Sequence, residues 1–353
     1  MIVVLKKDCP EEQIRGIEGR IRDMGYYTSQ ILGTERSVIA VIGPVNAVAL
    51  DRSLIETLPG VVEVLHITKP YKLASREAKH ENTRIMLRQR VVGADGIVIL
   101  AGPSAMESKE SLVGIAKGVR KLGVGLFHCA ATRSINSPYS RQELTADVLK
   151  VLSEVREESG VTLITEVTTP ADVKAVAKHA DVLLVGNRNM QNFDLLRAAG
   201  DQPKPVILKR HMAATIEEFL VAAEFILSRG SNQNVILCER GIRTFESDRY
   251  SLDLSAVPII KELTHLPVFV DPTRSVSGRA ALARMAMSAV AAGADGLLLL
   301  VHTDPDKAVL DTVNTLSLDQ FATLLADLGK LAALIGRSVD LTDAPEHAAR
   351  PKR

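Results

Sequence analysis

The sequence predicts an α/β protein: a (β/α)8 TIM barrel preceded by a small ferredoxin-like α+β domain. Two observations carry this expectation and a third narrows it. The first 70 residues run strand, helix, strand, strand, helix, strand, the order of a ferredoxin-like module. From Gly96 onward, eight short apolar runs alternate with helical segments over about 240 residues, the rhythm of a barrel of parallel strands. No Gly-rich phosphate fingerprint follows the first of those runs, which argues against a doubly wound open sheet.

Each element has its own signal. Residues 1–5 are apolar and β-branched, and residues 11–24 carry Ile14, Ile17, Ile21 and Met24 at helical spacing. Residues 28–32 and 38–42 read as strands around a turn-prone 33–35. A short helix through 45–58 stops at Pro59-Gly60, and 61–67 is the last strand of the module. Residues 71–95 are polar and charged at first, and serve as a connector or a first helix. The barrel spans 96–336, with strands ending near 101, 131, 166, 185, 209, 238, 270 and 301. Helical spacing fills the gaps at 110–122, 142–158, 170–179 and 216–227. Residues 337–353 turn polar, end in AARPKR and read as a flexible tail.

Composition narrows the class. With 46% hydrophobic and 24% charged residues among 353, the chain has the balance of a soluble globular protein. A net charge of +1 gives no reason to expect nucleic acid or membrane as partner. Aromatic residues are few and Trp is absent, so base-stacking platforms are not expected. The longest apolar runs have strand length, and the N-terminus lacks the layout of a secretory signal. Cys9, Cys129 and Cys238 are far apart with no metal-type pairing, and read as reduced thiols of a cytoplasmic protein.

Barrel active sites lie at the C-terminal ends of the strands. Three of those ends carry cations: Arg188 in GNRNMQN, Lys209 in VILKR and Arg240 in VILCERGIRTFE. Guanidinium forks match phosphate oxygens and an ammonium adds a compact charge, so the three form a candidate phosphate socket. The alternative is structural pairing with Glu166, Glu239 or Glu217. His128 and Arg133 are candidates for a carboxylate on the same ligand, although a packed, hydrogen-bonded His128 is an equal reading. Asp271 is placed to orient Lys209 or Arg274, and Glu107 and Asp311 are candidate acids or bases. A divalent metal would need clustered His, Cys, Asp or Glu at the rim. Ser104, Arg274 and Leu300 stand at key rim positions, only Asp311 qualifies, and His302 and Cys129 are isolated, so no metal or other cofactor is expected.

These motifs, with LASRE, SPYS, TEV, LDLSAVPI and LPVFVDP in order along nearly the whole chain, resemble DAHP synthase of the type I-beta form with an N-terminal ferredoxin-like domain. That family condenses phosphoenolpyruvate with erythrose 4-phosphate at the head of the shikimate pathway. The resemblance implies that Arg188, Lys209 and Arg240 hold the phosphoenolpyruvate phosphate. It implies Arg133 for the carboxylate, with His128 at an arginine position. At the aldose phosphate, Ile135 stands for an arginine and Asn136 for its neighbouring threonine. It also implies a degenerate metal site, with Ser104 for cysteine, Arg274 for histidine, Leu300 for glutamate and Asp311 retained.

The expectation is therefore a diverged, metal-independent family enzyme of aromatic metabolism. It binds phosphoenolpyruvate or a related phosphorylated carboxylate in an aldol-type condensation or lyase step. Arg274, Asp311 and Glu107 are the candidate catalytic groups, with Arg274 as a fixed cation in the former metal region; the alternative is that Arg274 pairs with Asp311 or Glu239 and closes an abandoned site. The alternatives are the family's own DAHP synthesis, or a non-catalytic metabolite sensor. The resemblance further implies a homo-oligomer, an allosteric small ligand at the N-terminal domain, and a chorismate mutase among eligible partners.

Overall fold

The structure, a computed structural model, describes residues 1–32, 37–43, 52–65, 69–88, 90–131, 144–230, 232–245 and 249–341. The N-terminal module contains β1 (Ile2–Leu5), α1 (Glu11–Asp23), β2 (Tyr27–Leu32), β3 (Ser37–Ile42), α2 (Arg52–Glu56) and β4 (Val61–Leu65). Its antiparallel sheet has the order β2-β3-β1-β4. Alternation along the strands gives the sheet two apolar faces. Val3, Leu5, Ile39 and Val41 pack on Ile14, Ile17 and Ile21 of α1. Ile2, Val4, Val38 and Ala40 face the other way and belong to the large core shared with the barrel.

The connector is neither unstructured nor helical. It carries a hairpin of β5 (Ile85–Leu87) and β6 (Arg90–Val92), because its apolar residues recur with period two. Ile85, Leu87 and Val92 turn into the barrel interior and close its N-terminal end, while Met86 faces solvent. Upstream, the Leu73 and Ala74 amides each donate to the Glu224 carboxylate at 2.9 Å. The buried His265 ring bridges the Leu73 carbonyl and Thr83 Oγ1, both at 2.7 Å.

The barrel runs β7 (Gly96–Gly102), α3 (Lys109–Lys121), β8 (Leu126–His128), α4 (Ala146–Ser159), β9 (Thr162–Val167), α5 (Val173–His179), β10 (Val182–Val185) and α6 (Phe193–Gly200). It continues with β11 (Val206–Lys209), α7 (Ile216–Leu227), β12 (Val235–Glu239), α8 (Ala256–Leu263), β13 (Val268–Val270), α9 (Arg279–Ala291), β14 (Gly296–Leu300) and α10 (Leu318–Leu334). All neighbours are parallel, and β14 pairs with β7 to close the ring. β8 ends at His128, short of the expected 131.

Strand alternation sorts the side chains and positions the site. Val98, Leu100, Leu126, Ile164, Ile207 and Leu298 fill the barrel, while Ile97, Ile99, Leu163 and Leu208 face the helices. After α10, β15 (Ser338–Val339) pairs with Gly96 and Ile97 of β7. Arg337 donates to the Ala294 carbonyl at 2.7 Å, and Arg90 pairs with Asp340 at 2.8 Å. Residues 337–341, expected to begin a flexible tail, are instead packed, and the rest of the expected tail, 342–353, lies outside the described residues. Among the described residues, no helix is long and apolar enough to cross a membrane.

Candidate active site

A cavity of about 370 Å³ opens at the C-terminal ends of the strands. Its wall follows from the inward half of the alternation: His128 continues from Leu126, Glu166 from Ile164, Lys209 from Ile207, Asp271 from Phe269 and Leu300 from Leu298. Arg188, Arg240, Arg274 and Asp311 join from the loops. Four cations thus face three carboxylates, a balance suited to an anionic ligand.

The structure brings the socket residues Arg188, Lys209 and Arg240 together, with Asp271 between two of them. Lys209 Nζ donates to Asp271 Oδ2 at 2.7 Å, and Arg240 Nε lies 3.5 Å from the same oxygen. Asp271 Oδ1 accepts from Thr273 N and Oγ1 at 3.1 and 2.6 Å. Burial alone would raise the Asp271 pKa, but Lys209 and Arg240 overcome it and hold the carboxyl well below its ordinary range. Arg240 also lies over the Tyr250 ring, its guanidinium carbon 5.6 Å from the centroid.

Glu239 does not serve as counter-ion to this socket. It has the outward parity and pairs with Arg210 at 2.9 Å behind the barrel wall. Glu166 does lie among the cations. Burial raises its pKa, opposed by Lys209, Arg240 and Arg188. Gly186 makes room for it, because a Cβ there would collide with a Glu166 carboxylate oxygen. Sequence reasoning treated Glu166 only as a counter-ion; its shared parity with Ile164 was the available signal.

His128 reaches the cavity wall as expected, but its chemistry differs. Burial, then Lys209, lowers its pKa to about 3, so the ring is neutral. It bonds the Pro103 backbone, whose carbonyl accepts, and this leaves Nδ1 buried without a hydrogen-bond partner. A bare acceptor does not suit a carboxylate. Arg133 and Asn136, with Ile135, lie outside the described residues.

Glu107 does not line the cavity. Its carboxylate accepts from His302 Nε2 at 2.8 Å and from Ser111 Oγ at 2.7 Å, while His302 Nδ1 accepts from the Asp304 amide at 2.9 Å. That arrangement ties Glu107 to the loop after β14, away from the cavity.

The metal implied by the resemblance finds no matching donor set. Ser104 Oγ donates to the Leu310 carbonyl at 2.9 Å, Leu300 is apolar, and Arg274 Nη1 sits 2.7 Å from Asp311 Oδ1. Among the described residues, no group of three or more His, Cys, Asp or Glu could hold an ion. The described residues do not fit the group.

The bottom of the barrel has a larger cleft, about 710 Å³, lined by Lys79, Arg84, Lys261 and Arg337 with acids between them. There Asp295 is taken up by Lys261 at 2.7 Å and Arg337 at 3.3 Å. Barrel chemistry belongs to the other end.

Comparison with known proteins agrees with the fold. Residues 76–336 match the DAHP synthetase I family, and residues 1–69 match the DAHP synthase ferredoxin-like domain. The chain is 41% identical to phospho-2-dehydro-3-deoxyheptonate aldolase of Thermotoga maritima over 96% of its own length and 100% of the relative's. It is 30% identical to 2-dehydro-3-deoxyphosphooctonate aldolase of Syntrophotalea carbinolica, covering 69% of this chain and 93% of that one. The crystal structure of the Thermotoga maritima heptonate aldolase (DAHP synthase) superposes with a TM-score of 0.74 at 39% identity, over 96% of this chain and 98% of that one.

Proposed function

The chain belongs to the DAHP synthetase I family, and from that premise we propose that it condenses phosphoenolpyruvate with a four-carbon aldose phosphate, releasing inorganic phosphate. The observation that carries this reading is the socket of Arg188, Lys209 and Arg240 on one cavity, with Asp271 between the last two. This reading replaces a lyase step or a reaction diverged from the family's own.

Carbon counting supports the acceptor. A seven-carbon product minus the three carbons of phosphoenolpyruvate leaves a tetrose phosphate, whereas an eight-carbon product needs a pentose phosphate. The heptonate relative matches across both domains, while the octonate relative covers only 69% of this chain.

The residues divide the work. The socket fixes the phosphate and, through it, the orientation of the enol. C3 attacks the acceptor carbonyl carbon, the new carbon–carbon bond forms, and the carbonyl π pair moves to oxygen. The hydroxyl of a water adds to C2 and its proton ends on that oxygen. The C2–O bond to phosphate then breaks, leaving a ketone and hydrogen phosphate. Glu166 holds or passes a proton near the bridging oxygen.

The test is incubation with phosphoenolpyruvate and erythrose 4-phosphate, reading phosphate release and the seven-carbon product by mass spectrometry. A tetrose-dependent product is expected. Consumption of the pentose phosphate alone would transfer the assignment to the octonate reaction. A thermal shift with phosphoenolpyruvate but no turnover would make the chain a metabolite-binding protein.

A further inference from the structure

The implied metal and the residues at its place disagree, and the replacement has a definite geometry. Arg274 ends a short turn, Pro272–Arg274, that follows β13 and is capped by Asp271. Its guanidinium meets Asp311 at 2.7 Å, on the same cavity as Leu298 and Leu300. Asp311 adopts φ 61°, a left-handed conformation that a non-glycine residue holds at some energetic cost. The neighbouring residues hold it there. The Asp311 carbonyl accepts from Asn314 N at 3.0 Å and Thr315 Oγ1 at 2.9 Å. Asn314 Nδ2 donates to the carbonyls of Thr273 and Val276 at 2.9 and 2.8 Å, and its Oδ1 accepts from Gly278 N at 2.8 Å. Asn314 thus ties the loop bearing Asp311 to the turn bearing Arg274.

We propose that Arg274, latched to Asp311, is the electrophile of the reaction, donating to the acceptor's carbonyl oxygen so that condensation needs no divalent cation. This rests on the phosphoenolpyruvate reading above and specifies its second half-site. The carbonyl π pair, once displaced by C3, lands on an oxygen that the guanidinium hydrogen-bonds, and water supplies the proton that neutralises it. Fixed donors aimed at developing charge in a partly desolvated site stabilise it without reorganising. The remaining guanidinium N–H groups are available for this, because a single nitrogen, Nη1, makes the bond to Asp311.

The experiment uses the full-length chain after chelator treatment. Mn2+ titration followed by electron paramagnetic resonance should show no stoichiometric binding, and Ser104→Cys/Arg274→His/Leu300→Glu should acquire it. Chelated wild type should condense phosphoenolpyruvate with erythrose 4-phosphate undiminished. Arg274→Ala should lose at least about a hundredfold in kcat, about 2.7 kcal/mol at about 1.36 kcal/mol per tenfold, with KM for phosphoenolpyruvate little changed. Free guanidinium at non-denaturing concentration should restore part of that rate, which a merely structural role would not allow. Turnover abolished by chelation and restored by Mn2+, or a kcat untouched by Arg274→Ala, overturns the proposal and leaves the family reaction standing. Phosphoenolpyruvate binding with no acceptor consumed under either condition also overturns it. Absence of phosphoenolpyruvate binding in a thermal-shift assay instead fails the underlying reading.

Discussion

His128 supplies a stability prediction that can be worked from the structure. Its folded pKa lies at about 3 against an ordinary 6.5, because the ring is buried and Lys209 faces it. A histidine with a depressed folded pKa stabilises the native state fully above its unfolded pKa, and that stability drains as pH falls toward the folded value. Between about pH 7 and about pH 4.5, His128 should therefore cost about 2.5 kcal/mol, at about 1.36 kcal/mol per pH unit. That corresponds to a fall in Tm of about 5 °C, at roughly 2 °C per kcal/mol for a domain of this size. The assay compares melts of wild type and His128→Gln at both pH values. Other carboxyls titrate in both proteins, so the difference of differences isolates the imidazole. Wild type should lose the additional 2.5 kcal/mol or so, and saturating phosphoenolpyruvate should reduce that loss by favouring the imidazolium. Parallel pH profiles would refute the buried neutral ring.

The remaining predictions address the socket. Asp271→Asn leaves Lys209 and Arg240 without their shared carboxylate and should cost about 3–5 kcal/mol in a denaturant melt. Phosphoenolpyruvate should raise the Tm of that variant more than that of wild type; an unchanged apo stability would mean that the two cations are solvated. Arg240→Met removes a charge-assisted bond of about 1.5–3 kcal/mol, so calorimetry should show phosphoenolpyruvate binding weakened about tenfold to 150-fold. An unchanged Kd would remove Arg240 from the socket. Gly186→Ala should displace Glu166 and lower kcat with a stability cost of about 1–3 kcal/mol, since the added methyl meets the carboxylate; unchanged turnover would show that Glu166 is a bystander.

Most of the architecture was legible because barrel strands declare themselves by apolar runs between helices. The same runs located the cations at strand ends. What stayed hidden was which face each side chain takes. Arg210 and Glu239 are adjacent in sequence to Lys209 and Arg240, yet they point outward and pair with each other. One residue of offset separates a ligand contact from a wall tie, and fixing parity requires knowing which residues fill the barrel. The surroundings of Glu107 were hidden for a related reason: its partner His302 lies 195 positions away, and no local pattern announces the contact. The hairpin at 85–92 was missed because two three-residue strands fall below the length at which alternation is distinguishable from a charged connector.

The two halves of the cavity obey different physical constraints. Around Asp271 the charges are interdependent: removing one cation or the carboxylate leaves a buried charge uncompensated, so the phosphate half resists piecemeal change. On the Asp311 side the residues have local partners: the Ser104 hydroxyl a backbone carbonyl, Arg274 Nη1 the Asp311 carboxylate, and Leu300 the apolar layer beneath it. Among the described residues, no carboxylate there is left buried and unpaired in the way a stripped metal site would leave it. Leu300→Glu alone would introduce a carboxylate competing with Asp311 for one guanidinium, without the other donors a metal requires. Return to metal chemistry therefore demands concerted replacement at three positions. That requirement separates a self-consistent guanidinium site from a merely damaged metal site.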